Sequence, residues 1–354
     1  MVLTDSVVAP IYECYNSAMK VSELGEFGLI DLLAEMVCHA QDKQSPAWQK
    51  LIIGIGDDAA AWQGDASTQL ATVDSFIQDI HFSLDITPWK ELGWKALAIN
   101  LSDIAAMGGV PKYALVSLAL PDHTEVDNVT ALYQGMIELA HQFGVAIVGG
   151  DTSSSPLVAI NITVLGSARS QDKLLTRSGA KAGDKVAVTG YLGAATAGWE
   201  MLTKGLQFDP EATASLKGAF LHPYPRIAEG QLLVDQGVRA AIDISDGLIS
   251  DLNHICKSSQ VSARIEVDRV PIQPAVKANF SDRAHELALS GGEDYELLFT
   301  ASIEVIDKIR ARAHCQITVI GEIVADKAAK ITLVDSQGNP FNLGKRGWEH
   351  FTSR

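Results

Sequence analysis

The chain has 354 residues, which at about 150 residues per domain points to two domains. Hydrophobic residues make up 47% and charged residues 20%, a balance that excludes disordered, collagen-like and simple coiled-coil chains and gives each domain a sizeable core. The 28 Lys and Arg against 43 Asp and Glu leave a formal net charge of −15, which argues against a nucleic-acid partner, because phosphate affinity rests on cationic side chains.

The first helical pattern follows Gly25-Glu26-Phe27, with Leu29, Ile30, Leu32, Leu33 and Met36 at helical spacing. Residues 1–24 read as an N-terminal extension, and the sequence leaves open whether translation naturally starts at Met19. Leu51-Ile52-Ile53 is a strand running into Gly54-Ile55-Gly56-Asp57-Asp58, and Leu70 to Asp74 is a short strand with an acid at its end. Thr87-Pro88 opens a helix that Gly108-Gly109 stops, and it carries Asn100 and Asp103 on one face. Strands are expected over 113–120, 145–148 and 157–165, with a helix over 129–143. Gly149-Gly150-Asp151 should close the strand over 145–148. Basic residues gather around 168–184, and the boundary is placed there, giving domains 25–168 and 169–354. The second half alternates again: strands over 185–188, 240–243, 263–267, 296–300 and 317–320, helices over 194–202, 225–235, 246–255 and 306–313. Strands mixed with helices in both halves predict an α/β or α+β protein.

No run of about 20 apolar residues suggests a membrane span. The N-terminus contains Asp5 and Glu13, no early Lys or Arg, and no apolar stretch long enough for a signal peptide. Cys14, Cys38, Cys256 and Cys315 are far apart and form no CxxC, which suits a reducing cytoplasm and neither disulfides nor zinc. All four are expected to be buried or half-buried.

One pattern recurs: an apolar strand, a small residue, then acids. It occurs at Gly56-Asp57-Asp58, Thr72-Val73-Asp74, Gly149-Gly150-Asp151 and Asp243-Ile244-Ser245-Asp246-Gly247, with Asp103 at a helix end. A single such acid is ordinarily a turn former or helix cap. If the five converge, each pair about 5 Å apart repels by roughly 3 kcal/mol at an effective dielectric of 20. Such a cluster needs cations, and oxygen donors without His or Cys select Mg²⁺ or Ca²⁺. Mg²⁺ held by carboxylates completes its shell with water and phosphates, which implies a polyphosphate ligand. There is no P-loop and no protein-kinase motif, so phosphate binding falls to other glycine turns and to a guanidinium such as Arg177.

Taken in order, these segments resemble the thiamine-monophosphate kinase family of the aminoimidazole-ribonucleotide-synthetase-like superfamily. The likeness is carried by Gly25-Glu26-Phe27, Gly54-Ile55-Gly56-Asp57-Asp58-Ala59, Thr72-Val73-Asp74 with His81-Phe82, Lys95-Ala96-Leu97-Ala98 and Asn100 to Gly108. It continues through Gly149-Gly150-Asp151-Thr152, Thr176 to Ala180, Asp243 to Leu248 and Ser290 to Leu297, and spans about residues 25–351. The resemblance implies a two-domain fold of mixed sheets with helices packed on one side, and ATP-dependent phosphorylation of thiamine monophosphate by direct in-line transfer. It further implies that Asp58, Thr72, Asp74, Asp103, Asp151, Asp243 and Asp246 hold several Mg²⁺ ions. Tyr133, Gly150, Arg177 and Ser245 match ATP-contacting positions, and His81, Glu293 and Trp348 match positions that contact the thiamine phosphate. The family commonly forms homodimers through the N-terminal domain, which the resemblance also makes the ATP- and Mg²⁺-binding domain. Val73 replaces the hydroxyl residue usual between Thr72 and Asp74 and offers only a backbone oxygen.

Read from the residues alone, Trp348 suits a cationic thiazolium or C-terminal packing equally, and His81 suits a loop or core histidine. Rival readings are another superfamily enzyme, such as aminoimidazole ribonucleotide synthetase or selenophosphate synthetase, and a non-catalytic acidic module that buffers divalent cations. Selenophosphate synthetases generally carry a reactive Cys near an N-terminal glycine-rich segment, a setting Cys14 and Cys38 lack. The hydrogenase-maturation relative ends in a cysteine tail, whereas this chain ends Thr352-Ser353-Arg354.

Overall fold

The computed structural model describes residues 19–42, 44–55 and 60–343. They divide into two compact units, one within Met1–Asn100 and Pro111–Ser167, the other within Leu101–Val110 and Ala168–Arg354.

In the first unit the elements are α1 (Val21–His39), α2 (Pro46–Lys50), β1 (Leu51–Ile53), β2 (Ala61–Trp62), β3 (Thr68–Ile77), α3 (Trp89–Ala106), β4 (Val110–Leu120), α4 (Val126–Phe143), β5 (Ala146–Ser154) and β6 (Ala159–Ala168). Four strands form a sheet in the order β3-β6-β4-β5, with β4 and β5 parallel. Helix α4 buries Val129, Leu132, Tyr133, Met136 and Ala140, a stripe at spacings of three and four. It crosses α3 backbone to backbone: a Cβ on Gly93 would lie 1.8 Å from the Leu132 carbonyl oxygen, and one on Gly135 would lie 1.8 Å from that of Lys90. Only glycine permits that approach.

Helix α1 kinks at Gly25 (φ 76°) before its buried stripe of Leu29, Leu32, Leu33, Met36 and Val37. Residues 19–24, assigned to the extension from sequence, bond to the loop before α4: Val21 N–H donates to Thr124 O (2.8 Å) and Val126 N–H to Met19 O (2.8 Å). Cys38 is exposed, contrary to expectation, because it follows that stripe onto the outer side of α1. Cys256 is buried, Cys315 is half-buried, and burial pushes both thiols up to about 11. Cys14 lies outside the described residues.

In the second unit the elements are β7 (Lys185–Thr189), α5 (Ala194–Lys204), α6 (Pro210–Leu221), α7 (Ile227–Asp235), β8 (Ala240–Asp243), α8 (Leu248–Ser259), β9 (Ser262–Glu266), α9 (Pro274–Asn279), α10 (Ala284–Ser290), β10 (Leu297–Ala301), α11 (Ile303–Arg310), β11 (Ile317–Val324) and β12 (Ile331–Val334). Its sheet runs β12-β9-β11-β7-β10-β8, antiparallel except for the β12–β9 pair. Val186, Val188, Ile242 and Leu298 from the strands pack with Leu248, Leu252 and Ile255 of α8 in one core. Each such side chain contributes roughly 1.5–3 kcal/mol by leaving water. The last turns of α3 belong to this unit: Met107 O accepts from Leu175 N–H (3.2 Å), and a Cβ on Gly230 of α7 would lie 2.2 Å from Ala105 O.

Among the described residues no helix is long and apolar enough to cross a membrane.

Candidate active site

In the second unit β8 is buried along its whole length and delivers Asp243, 4% exposed, to the start of a turn. The Asp243 carboxylate accepts a hydrogen bond from the buried Ser102 hydroxyl (2.7 Å). Ile244 is fully buried and pins the turn, while Gly247, with φ 114°, ends it. A side chain at Gly247 would collide with Ser290 O at 2.8 Å. Helix α8 has no side-chain cap at Gly247. Instead, Asp251 folds back from its first turn, and one carboxylate oxygen accepts from the N–H groups of Ser245, Asp246 and Gly247, each at 3.1 Å.

These acids crowd one another. Burial, then the charges of Asp243 and Asp246, push the Asp251 carboxyl up to about 8, against the opposing pull of its N–H donors. Ligand atoms of Asp246, Asp251 and His254 lie within 4.8 Å of one another. Burial and the positive charge of Arg177 depress the His254 imidazole. Carboxylate oxygens crowded in this way fit a hard divalent ion such as Mg²⁺.

The loop Ser290 to Glu296 lies against this turn. Glu293 N–H donates to Ser245 O (2.8 Å), Tyr295 N–H to Ile244 O (2.9 Å), and Ile244 N–H to Glu296 O (2.8 Å). Glu293 (φ 67°) and Tyr295 (φ 50°) are both left-handed, a conformation that costs an ordinary residue about 1–3 kcal/mol. The acids between and after them hold the loop there. Asp294 accepts from the Gly193 and Ala195 amides at the start of α5 (2.7 and 3.2 Å), and burial pushes its carboxyl up to about 7. Glu296, 7% exposed, forms a two-pronged pair with Arg226 (2.6 and 2.5 Å) and accepts from the Thr189 hydroxyl (2.6 Å).

Arg177 is exposed, but its backbone is fixed. Thr176 pairs with Ala240 of β8, and the Ser259 hydroxyl donates to Arg177 O and accepts from Gly179 and Ala180 N–H (3.1 Å each). Asp103, half-buried, follows Ser102 on the same helix.

In the first unit the predicted residues sit in strands. Thr72 and Asp74 are half-buried on one face of β3, and Val73, 62% exposed, faces the other way. Asp74 is not at the strand's end, since β3 continues to Ile77; its N–H donates to Asn100 Oδ1 (3.1 Å). Asp151 and Gly150 likewise lie inside β5, which runs to Ser154, and both are exposed. A Cβ on Gly150 would stand 1.8 Å from Val116 O, so the close pairing with β4 demands glycine. His81 follows β3; its Nδ1 accepts from Ile77 N–H (3.1 Å), which leaves the proton on Nε2, and its ring lies 6.0 Å from that of Phe76. Tyr133 is buried on α4, and burial raises its phenol above the usual range. Asp58 and Trp348 lie outside the described residues.

The second unit therefore draws Arg177, Asp243, Ser245, Asp246 and Glu293 into one hydrogen-bonded neighbourhood. Sequence reasoning missed Ser102, Asp251 and Asp294 there. Ser102 and Asp294 lie within stretches that carry the resemblance, and Asp251 is an acid in the first turn of α8.

The profile described as AIR synthase related protein, N-terminal domain, matches residues 56–168, and its C-terminal counterpart matches residues 181–334. Thiamine-monophosphate kinase of Bacillus subtilis is 38% identical over 340 residues, covering 93% of this chain and 100% of the relative. The chain belongs to the thiamine-monophosphate kinase family. The Escherichia coli K12 member is also 38% identical, over 85% of this chain and 92% of its own length. The solved thiamine-monophosphate kinase of Stenotrophomonas maltophilia superposes with a TM-score of 0.78 at 33% identity, covering 87% of this chain and 96% of that one. The AaThiL complex with AMPPCP and TMP gives 0.72 at 31% identity, covering 95% and 100%. The two-domain α/β architecture implied by the resemblance is thus the one found. The hydrogenase maturation protein HypE of E. coli shares that fold at 21% identity with a TM-score of 0.72 and shares no more than the fold.

Proposed function

We propose that this protein transfers the γ-phosphate of ATP to thiamine monophosphate, giving thiamine diphosphate and ADP, by direct in-line attack without a phosphoenzyme. The observation that carries the reading is the Asp243–Gly247 turn, with its crowded carboxylates, in a chain that matches the whole B. subtilis kinase at 38% identity. The AaThiL complex with AMPPCP, an ATP analogue, and TMP supports the choice of donor and acceptor.

The acceptor is a phosphate oxygen already ionised at neutral pH, so no general base is required. Two anionic phosphates must instead be neutralised and aligned, and phosphoryl transfer rests on positioning and electrostatics. In this reading Asp58, Thr72, Asp74, Asp103, Asp151, Asp243 and Asp246 hold several Mg²⁺ ions, whose bound charge screens the phosphate oxygens. Arg177 offers a two-pronged guanidinium to the ATP phosphates. Ser245, Gly150 and Tyr133 line the nucleotide, Gly150 leaving backbone N–H groups open to approach. His81 presents Nε2–H to the acceptor phosphate. Glu293 meets the aminopyrimidine or the positive charge of the substrate, and Trp348 stacks on the thiazolium, a contact worth about 0.5–2 kcal/mol.

The N-terminal domain, 25–168, binds ATP and Mg²⁺ and forms a homodimer in the cytoplasm. Support for the dimer comes from edge strand β3, whose outer face exposes Val73, and from Ile52, 70% exposed on β1. The test incubates pure protein with Mg-ATP and thiamine monophosphate, with free thiamine as control. ADP and thiamine diphosphate should form in equal amounts only with the monophosphate. ADP release without thiamine diphosphate would refute the assignment.

A further inference from the structure

The turn and the loop that carry the proposed ATP, metal and thiamine contacts are joined main chain to main chain. Three main-chain hydrogen bonds link Ile244 and Ser245 to Glu293, Tyr295 and Glu296, and a Cβ on Gly292 would stand only 2.4 Å from Ser245 O. A shift of the turn therefore reaches Glu293 through the main chain.

One side chain gathers the amides of the turn. Amides 245, 246 and 247 are consecutive and would be unpaired at an uncapped helix start; all three converge on one oxygen of Asp251. Asp251 is 2% exposed, so water cannot take its place. Ile244 is fully buried and Gly247 cannot accept a side chain, which leaves the turn no second packed arrangement among these contacts. The left-handed Glu293 and Tyr295 are residues that only a firm support keeps in place.

We propose that Asp251 is a positioning residue for both substrates at once: by fixing the 245–247 amides it sets the ATP- and metal-facing Ser245 and Asp246, and through the backbone junction it sets Glu293. This rests on the kinase reading above for what the two segments bind. Asp251 itself need touch neither substrate. Partners that orient a metal ligand are typically worth about 10- to 100-fold in affinity or activity.

The experiment compares the parent chain with Asp251→Asn, Gly292→Ala and Glu293→Gln. Kinetics give kcat and the KM for Mg-ATP and for thiamine monophosphate; amide hydrogen exchange on the substrate-free proteins reads segments 243–248 and 291–296. Asp251→Asn should lower kcat about 10- to 100-fold, raise both KM values, and speed exchange in both segments. Glu293→Gln should raise the KM for thiamine monophosphate alone. Gly292→Ala, which forces the junction apart, should also raise both KM values, and it decides the matter if Asp251→Asn does not fold. The proposal is overturned if Asp251→Asn, or Gly292→Ala in its place, changes only one KM or only the melting temperature. Faster exchange confined to 243–248 overturns it equally. Should the parent form no thiamine diphosphate, the kinase reading fails, and the exchange arm still decides whether Asp251 holds both segments.

Discussion

The acids of the second unit and those of the first are written alike in sequence and built differently. Asp243 and Asp246 flank a tight turn with dedicated supports: a buried serine 141 positions away in the chain, and a carboxylate that gathers three amides. Asp74 and Asp151 stand within long strands, displayed by the two-residue alternation, the first half-buried and the second exposed. An acid on a strand takes its direction from the sheet, so its side chain can be changed at little structural cost. An acid on a turn takes its place from its neighbours, and changing it disturbs them.

The largest effect should come from removing one acid of each kind. Asp151→Asn and Asp243→Asn should each lower turnover by about a hundredfold or more at saturating Mg²⁺. Exposed Asp151→Asn should leave unfolding free energy within about 0.5 kcal/mol of the parent, while Asp243→Asn, 4% exposed and bonded to Ser102, should shift it by about 1–3 kcal/mol. Equal stability changes in the two variants would erase the distinction.

A smaller effect concerns pH in metal-free protein. Asp251, with a native carboxyl at about 8, keeps a proton that an unfolded aspartate gives up near 4. The native state thus binds more protons across that window, and stability falls as pH rises from about 4 to about 8. Denaturant titrations in EDTA should show this decline, and Asp251→Asn should make it shallower, the share from the likewise raised Asp294 remaining. A parent curve already flat across the window would contradict the crowding described for the turn.

The smallest effect is expected at Val73. Its side chain lies on the face opposite Thr72 and Asp74, so Val73→Thr should change kcat by less than about twofold. A large gain would show that a hydroxyl at this position reaches the proposed metal site after all.

Much of the fold was legible because buried elements declare their period: α4 and α8 carry stripes at three and four, and Thr87-Pro88 marks the start of α3. The misreadings share a cause. Gly149-Gly150 reads as punctuation, yet β5 runs through it because β4 comes too close for any Cβ at Gly150. The strand ending at Asp74 in the sequence reading continues through Ser75-Phe76-Ile77, where Phe76 is buried by tertiary packing. Helix α6 went unassigned although Asp209-Pro210 is a sound start, with Asp209 accepting from Ala212 N–H (2.9 Å). At the site, the recurring acid pattern named Asp243 and Asp246, and the family resemblance named Ser245 and Glu293. Neither singled out Ser102 or Asp251, whose partners are a distant carboxylate and backbone amides that only the folded chain assembles.

Helix α3 has a practical consequence for anyone dissecting the gene. It gives Trp89–Asn100 to one unit and its last turns to the other, so the boundary of compactness falls inside a continuous helix. A fragment expressed from residue 168 onward would lose the strip 101–110, and with it the hydroxyl that greets Asp243 and the carbonyl that meets Leu175. Shuffling experiments that swap one half for a homologue's should carry that strip along with the second half.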